Sequence, residues 1–222
     1  MTIAALILAA GRASRFGSLK QLAPINNKPM LQHCIDSANS ALPGAVYTLL
    51  GYQPELIKST ITGTKIIEHP QWARGIGSSI AVGVDYLSKD FDAILIMLGD
   101  QPMISGSYLQ QLIDLFKEQQ HQGQLRKKQL KKDQSQKDHA QNHSIKKHQQ
   151  PVCSAYQKNL GVPAIFGRQH FSALTKLADD YGAKQFLMDL SPAPVALPLG
   201  ELSIDVDYPQ DLQSLSLDHD QP

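Results

Sequence analysis

Apolar residues along this chain fall into short unbroken runs, separated by stretches where they recur every three or four positions. Ile3–Ala9 is the first run and predicts a buried strand. Ala45–Leu50 and Lys65–Glu68 predict two more. Phe91–Leu98 is the most apolar run, and its continuity fits a central parallel strand covered on both faces. Between these lie helical spacings. Pro29–Leu42 carries Met30, Leu31, Cys34, Ile35 and Ala38 behind a proline suited to a first helical position. Pro54–Ser59, Ser78–Leu87 and Ser107–Phe116 predict further helices, the last with Leu109, Leu112, Ile113 and Phe116 on one face. Strands alternate with helices and no hairpin signal precedes residue 117, which predicts a mostly parallel sheet with right-handed crossovers. After residue 150 the pattern resumes. Val152–Tyr156, Val162–Phe166, Val195–Leu199 and Leu202–Val206 predict strands; Phe171–Leu177 and Gly182–Leu190 predict helices.

One segment breaks the pattern. Between Lys117 and Gln150, Leu125, Leu130 and Ile145 are the only large apolar residues among glutamines, lysines and histidines. Nine Lys and Arg stand there against three acidic residues, so about +6 of charge sits on a chain whose net charge is +1. Such a stretch cannot bury enough surface to offset its ordering entropy, so a mobile loop or a solvated helix is expected at about 119–149. The plain reading is a tolerated insertion, and nucleic acid is not expected as a partner. The whole, at 222 residues, is read as one α/β domain carrying this insert.

Cys34 and Cys153 lie far apart with no CxxC spacing, which argues against a zinc or disulfide framework and fits a reducing, cytoplasmic setting. No run is long enough to span a bilayer, and no Lys or Arg precedes Ile3 as a signal peptide would require.

The candidate chemistry begins where the first strand ends. Gly11 to Lys20 is a cationic, glycine-punctuated loop, yet the spacing of Gly11, Gly17 and Lys20 fits neither the P-loop nor the dinucleotide fingerprint. The physics of an anion site survives without them: backbone N–H groups around Gly11 form a concavity, and Arg12, Arg15 and Lys20 add positive charge. Ala13 and Ser14 are small enough for close ligand approach. Asp100 follows the most apolar strand, where open parallel sheets bind ligands, between Gly99 and Gln101-Pro102. A turn or helix-cap aspartate is the competing reading. Ser78 and Ser79 open a helix after Gly75 and offer hydroxyls beside backbone donors.

Leu8-Ala9-Ala10-Gly11-Arg12-Ala13-Ser14-Arg15-Phe16-Gly17, followed by Lys20-Gln21-Leu22, resembles the MobA-like NTP transferases, and within them the molybdenum-cofactor cytidylyltransferases. Asn27–Leu31, Trp72–Ile80, Gly99–Pro102 and Asp205–Leu212 resemble further elements of that family in the same order. The resemblance implies a three-layer, Rossmann-like fold of the nucleotide-diphospho-sugar transferase kind. It implies transfer of a nucleotidyl group from an NTP to a phosphorylated acceptor, with release of pyrophosphate and dependence on Mg²⁺. Leu8, Ala9, Ala10, Gly11, Arg12, Ser14, Arg15, Lys20, Gly75, Ser78, Ser79 and Gly99 would then bind nucleotide. Arg15, Lys20 and Asp100 would carry the reaction, and Asp100 with Asp207 would hold the metal, Asp205 being the alternative to Asp207.

Two features bear on substrates. Ala10 stands where guanylyl-transferring relatives more often have glycine, which favours CTP, although one methyl group discriminates by only about 1–3 kcal/mol. Asn159–Phe166 keeps a glycine and a proline of the family's acceptor stretch but lacks its histidine. Molybdopterin is the acceptor the resemblance favours, with a sugar phosphate or a non-catalytic carrier role as alternatives. A molybdoenzyme or a cofactor-delivery protein would be the partner.

Overall fold

Strand β1 (Ile3–Ala9) runs through the middle of a seven-stranded sheet with parallel neighbours on both sides, β4 (Val46–Leu50) and β6 (Ala93–Leu98). In this computed structural model, residues 1–13, 16–134, 150–156, 159–200, 206 and 208–214 are described. Beyond β4 lies β5 (Lys65–Glu68), also parallel. On the other side β6 pairs antiparallel with β8 (Asn159–Gly167), β8 antiparallel with β7 (Val152–Tyr156), and β7 parallel with β9 (Val195–Pro198). The order β5-β4-β1-β6-β8-β7-β9 is therefore mostly parallel. The chain leaves β1 in one direction and returns to its opposite side at β6. That reversal opens a crevice at the carboxyl ends of β1 and β6, the position where open α/β sheets bind ligands.

Both faces of the sheet are covered, as the unbroken apolar runs require. Ile3, Ala5, Ile7 and Ala9 of β1 pack under α1 (Met30–Ala41) and α4 (Gly106–Gln134), meeting Leu31, Ile35, Leu109 and Phe116. The alternate residues Ala4, Leu6 and Leu8, with Ala10 after them, pack under α3 (Ile76–Leu87), α5 (Phe171–Leu174) and α6 (Ala183–Met188). The period of two along one strand thus separates two cores and builds three layers. A short helix, α2 (Pro54–Lys58), follows β4.

The structure corrects four expectations. A two-residue hairpin, β2 (Pro24–Ile25) with β3 (Lys28–Pro29), precedes the insert. Asn26 and Asn27 form its turn with φ of 47° and 62°, a left-handed pair that asparagine tolerates. Helix α4 does not stop near Phe116 but continues to Gln134, so the first half of the basic insert takes the helical form, one of the two expected for it. Its Gln, Lys and Arg residues are good helix formers, and the helix is propagated from a buried first half. Helix α5 ends at Leu174 rather than Leu177. Strand β8 starts at Asn159 because it pairs first with β7 and then with β6. The strand expected at Leu202–Val206 lies outside the described residues except for Val206, which is not in a strand.

Candidate active site

A cleft of about 460 Å³ opens at the crevice. The end of β1 supplies Leu8, Ala9, Ala10 and Gly11; the end of β6 supplies Leu98, Gly99 and Asp100. These two chain ends are neighbours because Leu8 pairs with Leu98 in the parallel ladder. Lys20 and Gln21 enter from a 3-10 turn at Lys20–Leu22, and Gly75, Ile76 and Ser79 from the start of α3. Trp72 and Met30 complete the apolar part of the wall.

At the floor, Lys20 Nζ lies 2.9 Å from Asp100 Oδ2. The lysine is only 7% exposed while the Asp100 side chain is 30% exposed, so the pair is half-buried and partly shielded from solvent. Asp100 Oδ1 is buried with no hydrogen-bond donor among the described residues. Burying an unpaired carboxylate oxygen is unfavourable, so this atom has capacity for a ligand that supplies positive charge. Helix α4 begins six residues later, so Asp100 is not its cap. One carboxylate with a spare oxygen, completed by phosphate oxygens and water, fits what Mg²⁺ asks of a protein. The described residues contain no group of three or more His, Cys, Asp or Glu gathered for a metal.

Val206 closes the site from the C-terminal side. Its N–H donates to the Asp100 carbonyl at 3.2 Å, and its side chain is fully buried with Phe16, Ile25 and Met30. Asp205 and Asp207, its neighbours in sequence, lie outside the described residues, as do Ser14 and Arg15.

Arg12 is exposed and outside the cleft lining, its guanidinium carbon 5.7 Å from the ring centre of Tyr52. Tyr52 in turn meets Trp72 edge to face at 5.5 Å. Such stacking holds a cation over an aromatic face. Trp72 also packs on Gly51, where a Cβ would come within 2.4 Å of the Trp72 side chain.

The α3 side is held by hydrogen bonds and close backbone packing. Ser78 is buried rather than facing the cleft: its Oγ donates to the Gly75 carbonyl at 2.9 Å. With that proton committed, the 3.0 Å contact between His69 Nε2 and Ser78 Oγ has histidine as the donor. Burial, and then the positive charge of Arg74, lower the His69 pKa, which keeps the ring neutral. Gly75 has φ of 97°, and a Cβ there would sit 2.2 Å from the Asp179 carbonyl oxygen. Only glycine fits that backbone.

Gly99 lines the cleft and also serves the packing beneath it. A Cβ would meet Leu31 at 2.9 Å and Ala9 at 3.0 Å, so the residue lets β6 and β1 close together. At Gly11, by contrast, a Cβ would meet nothing within 4 Å. Cys34 and Cys153 are both buried free thiols. Burial, reinforced by the charge of Asp100, pushes Cys34 up to about 12.

Gln21 and Tyr52 were not candidates from the sequence, although Gln21 stands inside the Lys20–Leu22 segment that carries the resemblance. Gln21 Nε2 donates to the carbonyls of Ala9 and Gly11, at 3.0 and 2.9 Å. No local pattern announces a side chain that reaches back twelve residues to a backbone group.

The model of the MobA-like NTP transferase domain matches residues 5–194. An 8-amino-3,8-dideoxy-manno-octulosonate cytidylyltransferase from Shewanella sp. W3-18-1 is 37% identical over 123 residues, covering 54% of this chain and 49% of the relative. The bifunctional protein GlmU of Alcanivorax borkumensis is 32% identical over 116 residues, 51% of this chain and 25% of the relative. The chain thus spans between a quarter and about half the length of these curated relatives. Among solved structures, Rv0371c of Mycobacterium tuberculosis H37Rv superposes with a TM-score of 0.73 at 23% identity, over 96% of both chains. A manganese complex of the same protein superposes at 0.70, with 22% identity over 97% of this chain and 98% of that one. At that identity the likeness shows a shared fold.

Proposed function

The chain belongs to the MobA-like NTP transferase family, and from that premise we propose that it is a divalent-metal-dependent nucleotidyltransferase with CTP as the favoured donor. The observation that carries this reading is the floor of the cleft. A buried lysine and a carboxylate with a spare buried oxygen meet beside the loop that leaves β1. In the reaction an oxygen of the acceptor attacks the α-phosphorus of the NTP. The bond to the β-phosphate breaks, and pyrophosphate leaves with the electron pair.

Such a transfer requires alignment and charge neutralisation more than covalent chemistry from the protein. Lys20, with Arg15 and Arg12 from the same loop, would neutralise the triphosphate and the departing pyrophosphate. Asp100 would hold Mg²⁺, with Asp207 as the second carboxylate. When bound, the metal supplies Lewis-acid stabilisation of the charge that gathers on the phosphate oxygens. The manganese complex of Rv0371c supports use of a divalent cation. Gly75 and Ser79, at the start of α3, would face the base and ribose across Ala9 and Ala10.

Molybdopterin is the acceptor that the sequence resemblance favours. A second reading has its own support: the Shewanella relative is by name a cytidylyltransferase of an octulosonate, and the Asn159–Phe166 stretch lacks the family's histidine. On that reading the same fold transfers CMP to a sugar acid.

Asp100→Asn tests the metal assignment, since it keeps the side chain's shape and removes its charge. Turnover should fall by about 10²–10³-fold or more while nucleotide binding and Tm persist. Near-normal turnover would contradict the assignment.

A further inference from the structure

Three successive carbonyls leave β1 at the mouth of the cleft, and each is taken by a protein donor. Gln21 Nε2 donates to Ala9 O at 3.0 Å and to Gly11 O at 2.9 Å. The Tyr52 N–H donates to Ala10 O at 2.9 Å. In a trans peptide the next residue's N–H points opposite to the carbonyl. Drawing the Ala10 and Gly11 carbonyls onto Tyr52 and Gln21 therefore turns the Gly11 and Arg12 N–H groups the other way. Among the described residues, the N–H groups of Gly11, Arg12 and Ala13 have no acceptor. Successive N–H groups freed in this way form an anion-binding concavity.

The Gln21 side chain is committed to this task. The residue is 6% exposed, and its Oε1 is buried without a donor among the described residues. The orientation of the amide follows from its partners, because an oxygen turned to two carbonyls would be repelled by both. A buried amide that leaves its own oxygen unmet is an unfavourable choice for filling space, and methionine would fill the same volume without that penalty. What methionine cannot do is bond two carbonyls.

The geometry points to Gln21 as the positioning residue of the phosphate loop: one amide clamps the carbonyls on either side of Ala10 so that the loop's N–H groups are presented to the triphosphate. This rests on the nucleotidyl-transfer reading and adds to it a residue that acts through the backbone of the loop. The clamp acts on phosphate binding, so its loss is felt equally by a nucleotide and by bare pyrophosphate.

The test compares wild type with Gln21→Met, which keeps the length and lacks the donor. Gln21→Glu serves as a second variant should the first fail to fold. Titration calorimetry with inorganic pyrophosphate and with MgCTP should show both bound about tenfold more weakly or worse, with Tm little changed. In steady state the KM for CTP should rise by a similar factor while kcat stays within about twofold. Amide exchange should quicken at Tyr52, whose N–H bonds the Ala10 carbonyl between the two clamped ones, and stay unchanged in β4. Affinities within about twofold of wild type, or a fall in kcat with KM unchanged, would overturn the assignment. If wild type binds neither pyrophosphate nor any NTP, the nucleotidyl-transfer reading fails on its own. The exchange measurement then still decides the clamp: faster exchange confined to Tyr52 supports it, and unchanged exchange overturns it.

Discussion

Lys20 faces two demands from one position. It neutralises Asp100 at 2.9 Å in the protein alone, and in the proposed reaction it is wanted by the phosphates. A metal arriving without nucleotide meets a carboxylate already paired with an ammonium, which competes with it for the same negative charge. Lys20→Gln should therefore move two affinities in opposite directions. Mn²⁺ binding to the nucleotide-free protein, followed by the paramagnetic resonance signal of the free ion, should tighten. CTP binding should weaken, by about tenfold for one charge-assisted contact. Losses of both, or of neither, would show that the ion pair has no bearing on metal entry. At this scale the sequence was informative wherever a residue acts through its own charge. Lys20 and Asp100 stood out beside a strand end and a glycine. Gln21 and Tyr52 did not, because each works through a backbone carbonyl or a ring that only folding brings near.

Elements were legible in proportion to how local their causes are. The apolar runs of β1 and β6 and the spacing of α1 survive in the structure because burial on both sheet faces selects them. The Asn26–Asn27 turn leaves no periodic signal in the sequence since its strands are two residues each, too short to show alternation. The full length of α4 is not marked by periodicity because the sequence of its polar half carries no apolar stripe and relies on propensity. The start of α3 shows how neighbouring elements set up a site: His69, just beyond β5, donates to Ser78, and Ser78 to Gly75 at the cleft wall. The pH dependence follows from sign. His69 has its folded pKa lowered, so between that value and the unfolded value near 6.5 the unfolded chain binds more protons. Stability is then fully present above about pH 6.5 and falls as the pH drops below it. Urea unfolding from pH 7 to pH 5 should show this loss, and His69→Gln, which retains an N–H donor and cannot titrate, should flatten that part of the profile. Parallel profiles would assign the loss to other groups.

At the scale of the molecule, the reversal of strand order around β1 brings the phosphate loop and Asp100 together although 80 residues separate Lys20 from Asp100. The alternation of strands and helices announced the parallel half of the sheet. The antiparallel pairing of β8 with β6 and β7 was not announced, since it depends on which edge the chain returns to after the insert. No helix among the described residues is long and apolar enough to cross a membrane. Among the described residues the architecture offers a cleft with a lysine, a carboxylate and an apolar wall, and the proposed nucleotidyl transfer would use all three. Pyrophosphate release tests that claim most directly, measured with each of the four NTPs, with Mg²⁺, and with and without molybdopterin. Release that requires Mg²⁺, CTP and molybdopterin together is the predicted result. NTP binding without release of pyrophosphate, for molybdopterin and for phosphorylated and sugar-acid acceptors alike, would contradict it and leave a protein that carries nucleotide without transferring it.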